Sequence, residues 1–176
     1  DYSRLESNKL NLSLVTFRLT ELTQRLERSF FISAKERETK LSFEIAPNTP
    51  EVLIGDESRL GQILSNLIAN AFKYTQRGQI QIQITPENPS PKTATTHVML
   101  RFTVQDTGVG LSLSAQQNLF QPFHTDPQKA SSNGLGLSIA KHIVQLMGGA
   151  IWLDETSASG TRFVFTARFE RAKGDT

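Results

Sequence analysis

The chain has 176 residues, 38% of them apolar, with a formal net charge of +2, three histidines and no cysteine. That length supports one domain with a real core, while the lack of cysteine removes disulfides, thiolate metal sites and thiol nucleophiles, and no apolar run approaches the ~20 residues of a membrane helix. The basic residues, from Arg25, Arg28, Lys35, Arg37 and Lys40 to Arg168, Arg171 and Lys173, are scattered without interleaved aromatics, which describes a solvated surface rather than a nucleic-acid groove.

Asp1 to Lys9 is polar and helix-compatible, lacks the pattern of a leader, and reads as the tail of something longer. Leu10, Leu12 and Leu14 alternate with polar residues into Val15 and Phe17, the period of a half-buried strand. From Leu19 through Leu22, Leu26 and Phe30 the apolar spacing becomes three to four, which predicts an amphipathic helix over about Leu19 to Arg37. Leu41, Phe43 and Ile45 form a second strand, Pro47 and Pro50 break the chain, and Val52-Leu53-Ile54 is a short third. Gly55-Asp56 supplies a turn and a cap for a helix from about Glu57 to Thr75, stopped near Gly78. Ile80, Ile82 and Ile84 then pair as a hairpin with Val98, Leu100, Phe102 and Val104 across the loop Pro86 to Pro91. A short helix near Ala115 to Leu119 precedes an irregular stretch from Gln121 to Asn133 and a helix to Met147, closed by Gly148-Gly149. Ile151 to Leu153 and Arg162 to Phe169 make a final hairpin around Ser159-Gly160. Strands grouped in hairpins rather than strictly alternating with helices predict an α+β fold, a two-layer α/β sandwich whose mixed, largely antiparallel sheet is covered on one face by helices.

On the helix from Glu57, Arg59, Gln62, Asn66, Asn70 and Lys73 fall on one narrow stripe and Leu60, Ile63, Leu64, Leu67 and Ala71 on another. Asparagine is a poor helix former, so two of them one turn apart need a reason. They either hydrogen-bond a neighbouring loop or offer a neutral amide oxygen to Mg²⁺, which keeps waters and takes its other ligands from phosphate. Lys73 then meets phosphate charge, and Tyr74 is equally a core ring or a ring beside a base.

Asp106 ends a strand, and Gly108 and Gly110 after it let the backbone turn closely. Its carboxylate either accepts from an exocyclic amine such as that of adenine or caps its own turn. Gly134 and Gly136 open a helix whose free N–H groups suit a polyphosphate, or else serve close packing. Each signal alone is weak, but chance does not readily supply all three in series.

In these residues the chain resembles the catalytic and ATP-binding domain of sensor histidine kinases, in the GHKL superfamily (Bergerat-type ATP fold) shared with gyrase B, Hsp90 and MutL. The resemblance covers about Leu10 to Phe169. Asn66 to Thr75 resembles the family's N box, Asp106 to Gly110 its first glycine box, Leu119-Phe120-Gln121-Pro122-Phe123 its F box and Gly134 to Ile139 its second glycine box. The resemblance implies ATP and Mg²⁺ as ligands: Asn70 on Mg²⁺, Asn66 and Lys73 at the phosphates, Tyr74 near the nucleotide, and Asp106 on the adenine amine. Gly108 and Gly110 then shape the pocket, Gly134, Leu135, Gly136 and Leu137 form the second glycine station, and Thr161 is a hydroxyl near the adenine. Phe123 to Asn133 corresponds to an ATP lid, in which Lys129 is the basic side chain toward the γ-phosphate. Ser131, Ser132 and Asn133 stand where the family usually has further glycines, and the short lid implies modest nucleotide affinity.

Superfamily ATPases place a glutamate, as general base, one turn before the Mg²⁺-binding asparagine; here that position is Asn66, which cannot take a proton. The resemblance therefore implies phosphotransfer to a histidine, with Asn66, Lys73 and Lys129 as the catalytic set. A binding module with decayed activity, a GHKL-type ATPase and, less favoured, a serine kinase of the anti-sigma type are the alternatives. His97, His124 and His142 lie outside any dimerisation-helix pattern, so the acceptor is expected upstream. Residues 1–10 then end a dimerisation helix, 11–170 form the catalytic domain and 171–176 a tail. The implied partners are the upstream dimerisation and phosphotransfer helices, through which a homodimer forms, and a response-regulator receiver domain. The implied location is cytoplasmic, without nucleic acid or direct membrane contact by this domain, whatever anchors the parent protein.

Overall fold

Alternation at period two builds one sheet. The computed structural model describes residues 11–87, 96–121 and 136–172. Its strands are β1 (Val15–Arg18), β2 (Lys40–Ile45), β3 (Val52–Gly55), β4 (Gln79–Pro86), β5 (His97–Asp106), β6 (Ile151–Ser157) and β7 (Gly160–Arg171). Among the described residues they form a seven-stranded sheet in the order β1-β3-β7-β5-β4-β2, with β6 also paired to β7. The β2–β4 pair is parallel and the others are antiparallel, so the sheet is mixed and largely antiparallel, as the hairpins predict.

One face carries the core. Val98, Leu100, Phe102 and Val104 of β5 stand opposite Phe169, Ala167, Phe165 and Phe163 of β7, and all are buried. On the other side of β5, Ile84 and Ile82 face Phe102 and Val104. The Phe102 and Phe165 rings stack with centroids 4.5 Å apart. At about 1.5–3 kcal/mol for each fully buried large side chain, this row decides which face the helices cover.

The helices are α1 (Leu19–Ser29), α2 (Phe31–Glu36), α3 (Glu57–Tyr74), α4 (Leu113–Gln117) and α5 (Gly136–Leu146). α1 buries Leu19, Leu22 and Leu26, α3 buries Leu60, Ile63, Leu64, Leu67 and Ala71, and α5 buries Ile139, Ala140, Ile143 and Val144. Asp56 caps α3, Oδ1 accepting the Arg59 N–H at 3.0 Å. Gly148, at φ +76°, ends α5 as the glycine pair predicts.

Two expectations differ. The single helix over Leu19 to Arg37 is two helices, because Phe30 leaves helical geometry (φ −102°, ψ 9°) and stacks on Phe72 with ring centroids 5.7 Å apart. Of the alternating run, Leu10 lies outside the described residues, residues 11–14 are not strand, and β1 starts at Val15 with Leu14 and Val15 exposed. β1 is an edge strand paired over four residues, too short to cover the whole run.

Candidate functional site

The apolar row of the sheet ends in a carboxylate. Strand alternation puts Asp106 on the same inward face as Val104 and Phe102, opposite Thr161 on β7 and Ile80 on β4. It is 4% exposed. Its Oδ1 accepts two backbone N–H groups, from Gly108 at 2.9 Å and Thr161 at 3.2 Å, leaving Oδ2 with acceptor capacity for a further donor. Burial pushes its pKa up; the Gly108 and Thr161 N–H groups and then the Thr75 hydroxyl pull the other way without overcoming it. Thr75 Oγ1 is buried, in a residue 1% exposed, and makes no well-formed hydrogen bond within the protein. An unpartnered buried hydroxyl is costly. Beside a buried carboxylate, it marks a place where a polar ligand edge fits.

The glycines after Asp106 are required by close approach. A Cβ on Gly108 would run into the Tyr74 carbonyl oxygen, and the neighbouring Val109 N–H donates to that oxygen at 3.1 Å. Gly110, at φ +82°, lies against the Ser157 carbonyl with equally little room. The loop is thereby pinned between the end of α3 and β6. Leu111 N–H donates to Thr156 Oγ1 at 3.0 Å, and Thr156 Oγ1 is 2.9 Å from Thr161 Oγ1. The Thr161 hydroxyl thus faces Thr156, while its backbone N–H serves Asp106. Thr75 and Thr156 escaped sequence reasoning. Thr75 had one usable signal, its place at the predicted end of the asparagine helix, which in the structure stops at Tyr74; Thr156 had none.

On α3 the expected stripe is intact. Arg59, Gln62, Asn66, Asn70 and Lys73 are all half-buried, and the neighbouring apolar stripe is fully buried. Arg59 donates to Gln62 Oε1 at 2.7 Å. Asn66 Nδ2 donates to the carbonyl of Gly136, the first residue of α5, at 3.0 Å. Asn66 therefore does hydrogen-bond a neighbouring element, and it does so as a donor, which a carboxylate there could not. Lys73 Nζ lies 5.6 Å from the centroid of the buried Tyr74 ring. Leu137 packs half-buried against the core. Lys129, Gly134, Leu135, His124 and the segment from Pro122 to Asn133 lie outside the described residues. His97 is 3.5 Å from Glu170, and His142 Nε2, on α5, is buried without a hydrogen-bond partner. Among the described residues no group of three or more His, Cys, Asp or Glu could hold a metal. A cation beside α3 would take amide and ligand oxygens, a donor set suited to Mg²⁺.

Residues 55–171 match the family described as histidine kinase-, DNA gyrase B-, and HSP90-like ATPase. The chain is 35% identical to the sensor protein GacS of Pseudomonas syringae pv. syringae, over 99% of this chain and 19% of that protein. It is 32% identical to hybrid signal transduction histidine kinase A of Dictyostelium discoideum, over 93% of this chain and 8% of that one. It thus spans a minor part of these relatives' length. Among solved structures it is similar to full-length ShkA in complex with AMPPNP (TM-score 0.82, 27% identity, 99% of this chain and 35% of that chain). It is also similar to the nucleotide-free catalytic domain of histidine kinase ThkA (TM-score 0.70, 25% identity, 88% and 95%).

Proposed function

The chain belongs to the histidine kinase-, DNA gyrase B-, and HSP90-like ATPase family, and from that premise we propose that it is the ATP-binding catalytic domain of a two-component sensor histidine kinase. The observation that carries the reading is the placement of Asp106 and Thr75 at one end of α3, whose amide stripe leads away from them. Asn66 and Thr75, the C-cap of α3, are nine positions apart, about 13.5 Å at ~1.5 Å per position, on the scale of an extended nucleoside triphosphate.

In this reading Asp106 Oδ2 accepts from the adenine amine, and the Thr75 hydroxyl meets the same edge of the base. Gly108 and Gly110 keep that edge free of side chains, Tyr74 flanks it, and Thr161 holds Asp106 in place. Asn66 and Lys73 line the phosphate region with Gly136 and Leu137. The amide oxygen of Asn70 would hold Mg²⁺, which would supply charge neutralisation for the phosphates. Transfer needs little covalent help from the protein. A neutral histidine imidazole, on an upstream dimerisation helix, attacks the γ-phosphorus in line, an N–P bond forms, the bond to the bridging oxygen breaks and ADP leaves. Lys73 meets the charge that develops. With its amide donating to Gly136, Asn66 offers no base for water, which disfavours the ATPase alternative. The domain acts in the cytoplasm within a homodimer formed by the upstream helices, and a response-regulator receiver domain takes the phosphoryl group onward.

Incubation of a chain carrying the upstream helices with γ-labelled ATP and Mg²⁺ tests this. Label on histidine, lost in acid and stable in base, is the expected result. Release of free phosphate without labelled protein would return the ATPase reading, and binding with neither would leave a nucleotide-binding module.

A further inference from the structure

The incoming chain and the start of α3 meet at one buried carboxylate. Asp56 is 4% exposed. Its Oδ1 caps α3 through the Arg59 N–H at 3.0 Å, and its Oδ2 accepts the N–H of Ser13, 43 residues earlier, at 2.8 Å. A cap needs only one acceptor oxygen. The second oxygen ties the backbone just ahead of β1 to the helix that carries the asparagine stripe.

Other ties hold β1 and α1 to the same corner. β1 runs antiparallel to β3, with Val15 opposite Gly55, next to Asp56 in the chain. Arg25 of α1 pairs with Glu57, the first residue of α3, at 3.0 Å, but this pair is partly exposed and screened. Thr20 is held by Glu51 through both its N–H and its hydroxyl. Of these ties, Asp56 to Ser13 is the one that joins a buried carboxylate to the exposed backbone just before β1.

We propose that Asp56 is a positioning residue for phosphotransfer. Through Ser13 it fixes the direction in which the chain leaves toward the upstream helices, relative to α3, and so sets where Asn66, Asn70 and Lys73 stand with respect to the acceptor histidine. Asp56 itself lies about 15 Å along the helix from Asn66, away from the proposed phosphate region. The inference rests on the kinase reading above.

Two variants separate the tie from the cap, in the chain that carries the upstream helices. Asp56→Ser keeps one oxygen for Arg59 and none for Ser13, while Ser13→Pro removes the donor and leaves the Asp56 cap of α3 in place. Each is expected to lower kcat for histidine labelling about tenfold with KM for ATP changed by less than about twofold. The double variant should be no worse than either single one, because both remove one shared contact. Hydrogen exchange at the Ser13 amide should accelerate in Asp56→Ser, and AMPPNP binding equal to wild type in both variants reports an intact fold. Unchanged kcat in both variants, or a loss carried by KM, overturns the inference and leaves Asp56 a helix cap. If the wild type binds AMPPNP but labels no histidine, it is the kinase reading that fails, and the inference with it.

Discussion

Asp106 and Thr161 face each other across β5 and β7, and the Thr161 N–H donates to Asp106 Oδ1 at 3.2 Å. The acceptor proposed for adenine is therefore held by sheet register rather than by its own loop alone. A carboxylate so placed is costly to ionise without its donors, and the two on Oδ1 are backbone N–H groups that only a proline substitution would remove.

Asp106→Asn should lower affinity for a non-hydrolysable ATP analogue by about 10- to 100-fold, roughly 1.4–2.7 kcal/mol, since an amide nitrogen would meet N–H donors or the base amine. Stability at neutral pH should hold or rise, because a buried charge disappears. Calorimetry and a denaturant midpoint check both; intact binding sinks the assignment.

The raised pKa of Asp106 gives the two properties opposite pH trends. Proton binding favours the folded state, so the contribution of Asp106 to stability is complete below the ordinary carboxylate range and fades as pH rises through its elevated folded value. Affinity, which needs the ionised form, falls as pH drops through that same value. Subtracting the Asp106→Asn titration from that of the wild type isolates the effect from titration of the nucleotide, and a flat difference between neutral pH and pH ~4 would count against it.

Gly108→Ala and Gly136→Ala should behave differently. At Gly108 the added methyl meets the Tyr74 carbonyl, a backbone atom that cannot move aside, and a loss of about 1–3 kcal/mol with weakened nucleotide binding is expected. At Gly136 the nearest side-chain atom, on Asn66, lies 3.6 Å from the new Cβ, so stability should change by less than about 0.5 kcal/mol. Thermal melts of the two variants decide it.

Asn66→Asp replaces the donor to the Gly136 carbonyl with an acceptor. A destabilisation of about 1–3 kcal/mol is expected, with no gain of ATP hydrolysis. Denaturation and a phosphate-release assay read the two parts separately.

Asn70→Ala should abolish the Mg²⁺-dependent part of nucleotide affinity and lower histidine labelling by at least about tenfold. Titration of the analogue with and without Mg²⁺ checks it. Label that persists in the variant contradicts the role given to Asn70.

Much of the fold was legible because it follows from local periodicity. The stripes of α3 and the alternation of β4 and β5 are properties of neighbouring residues, and the structure keeps both. The α1–α2 break was not legible, because Phe30 answers to Phe72 rather than to its neighbours. Nor was the late start of β1, since an edge strand takes its length from its one partner, β3.

The site divides in the same way. By itself the sequence determined that Asp106 shares the inward parity of Val104 and Phe102, that Asn66, Asn70 and Lys73 share a helix face, and that Asp56 begins that helix. Only the tertiary structure decided that Asp106 meets the Thr161 N–H 55 residues away, that Asn66 donates to Gly136 across 70 residues, and that the second oxygen of Asp56 holds Ser13. The reason is physical: backbone geometry sets which way a side chain points along its own element, whereas the partner it finds depends on strand order and helix packing, which no local period encodes.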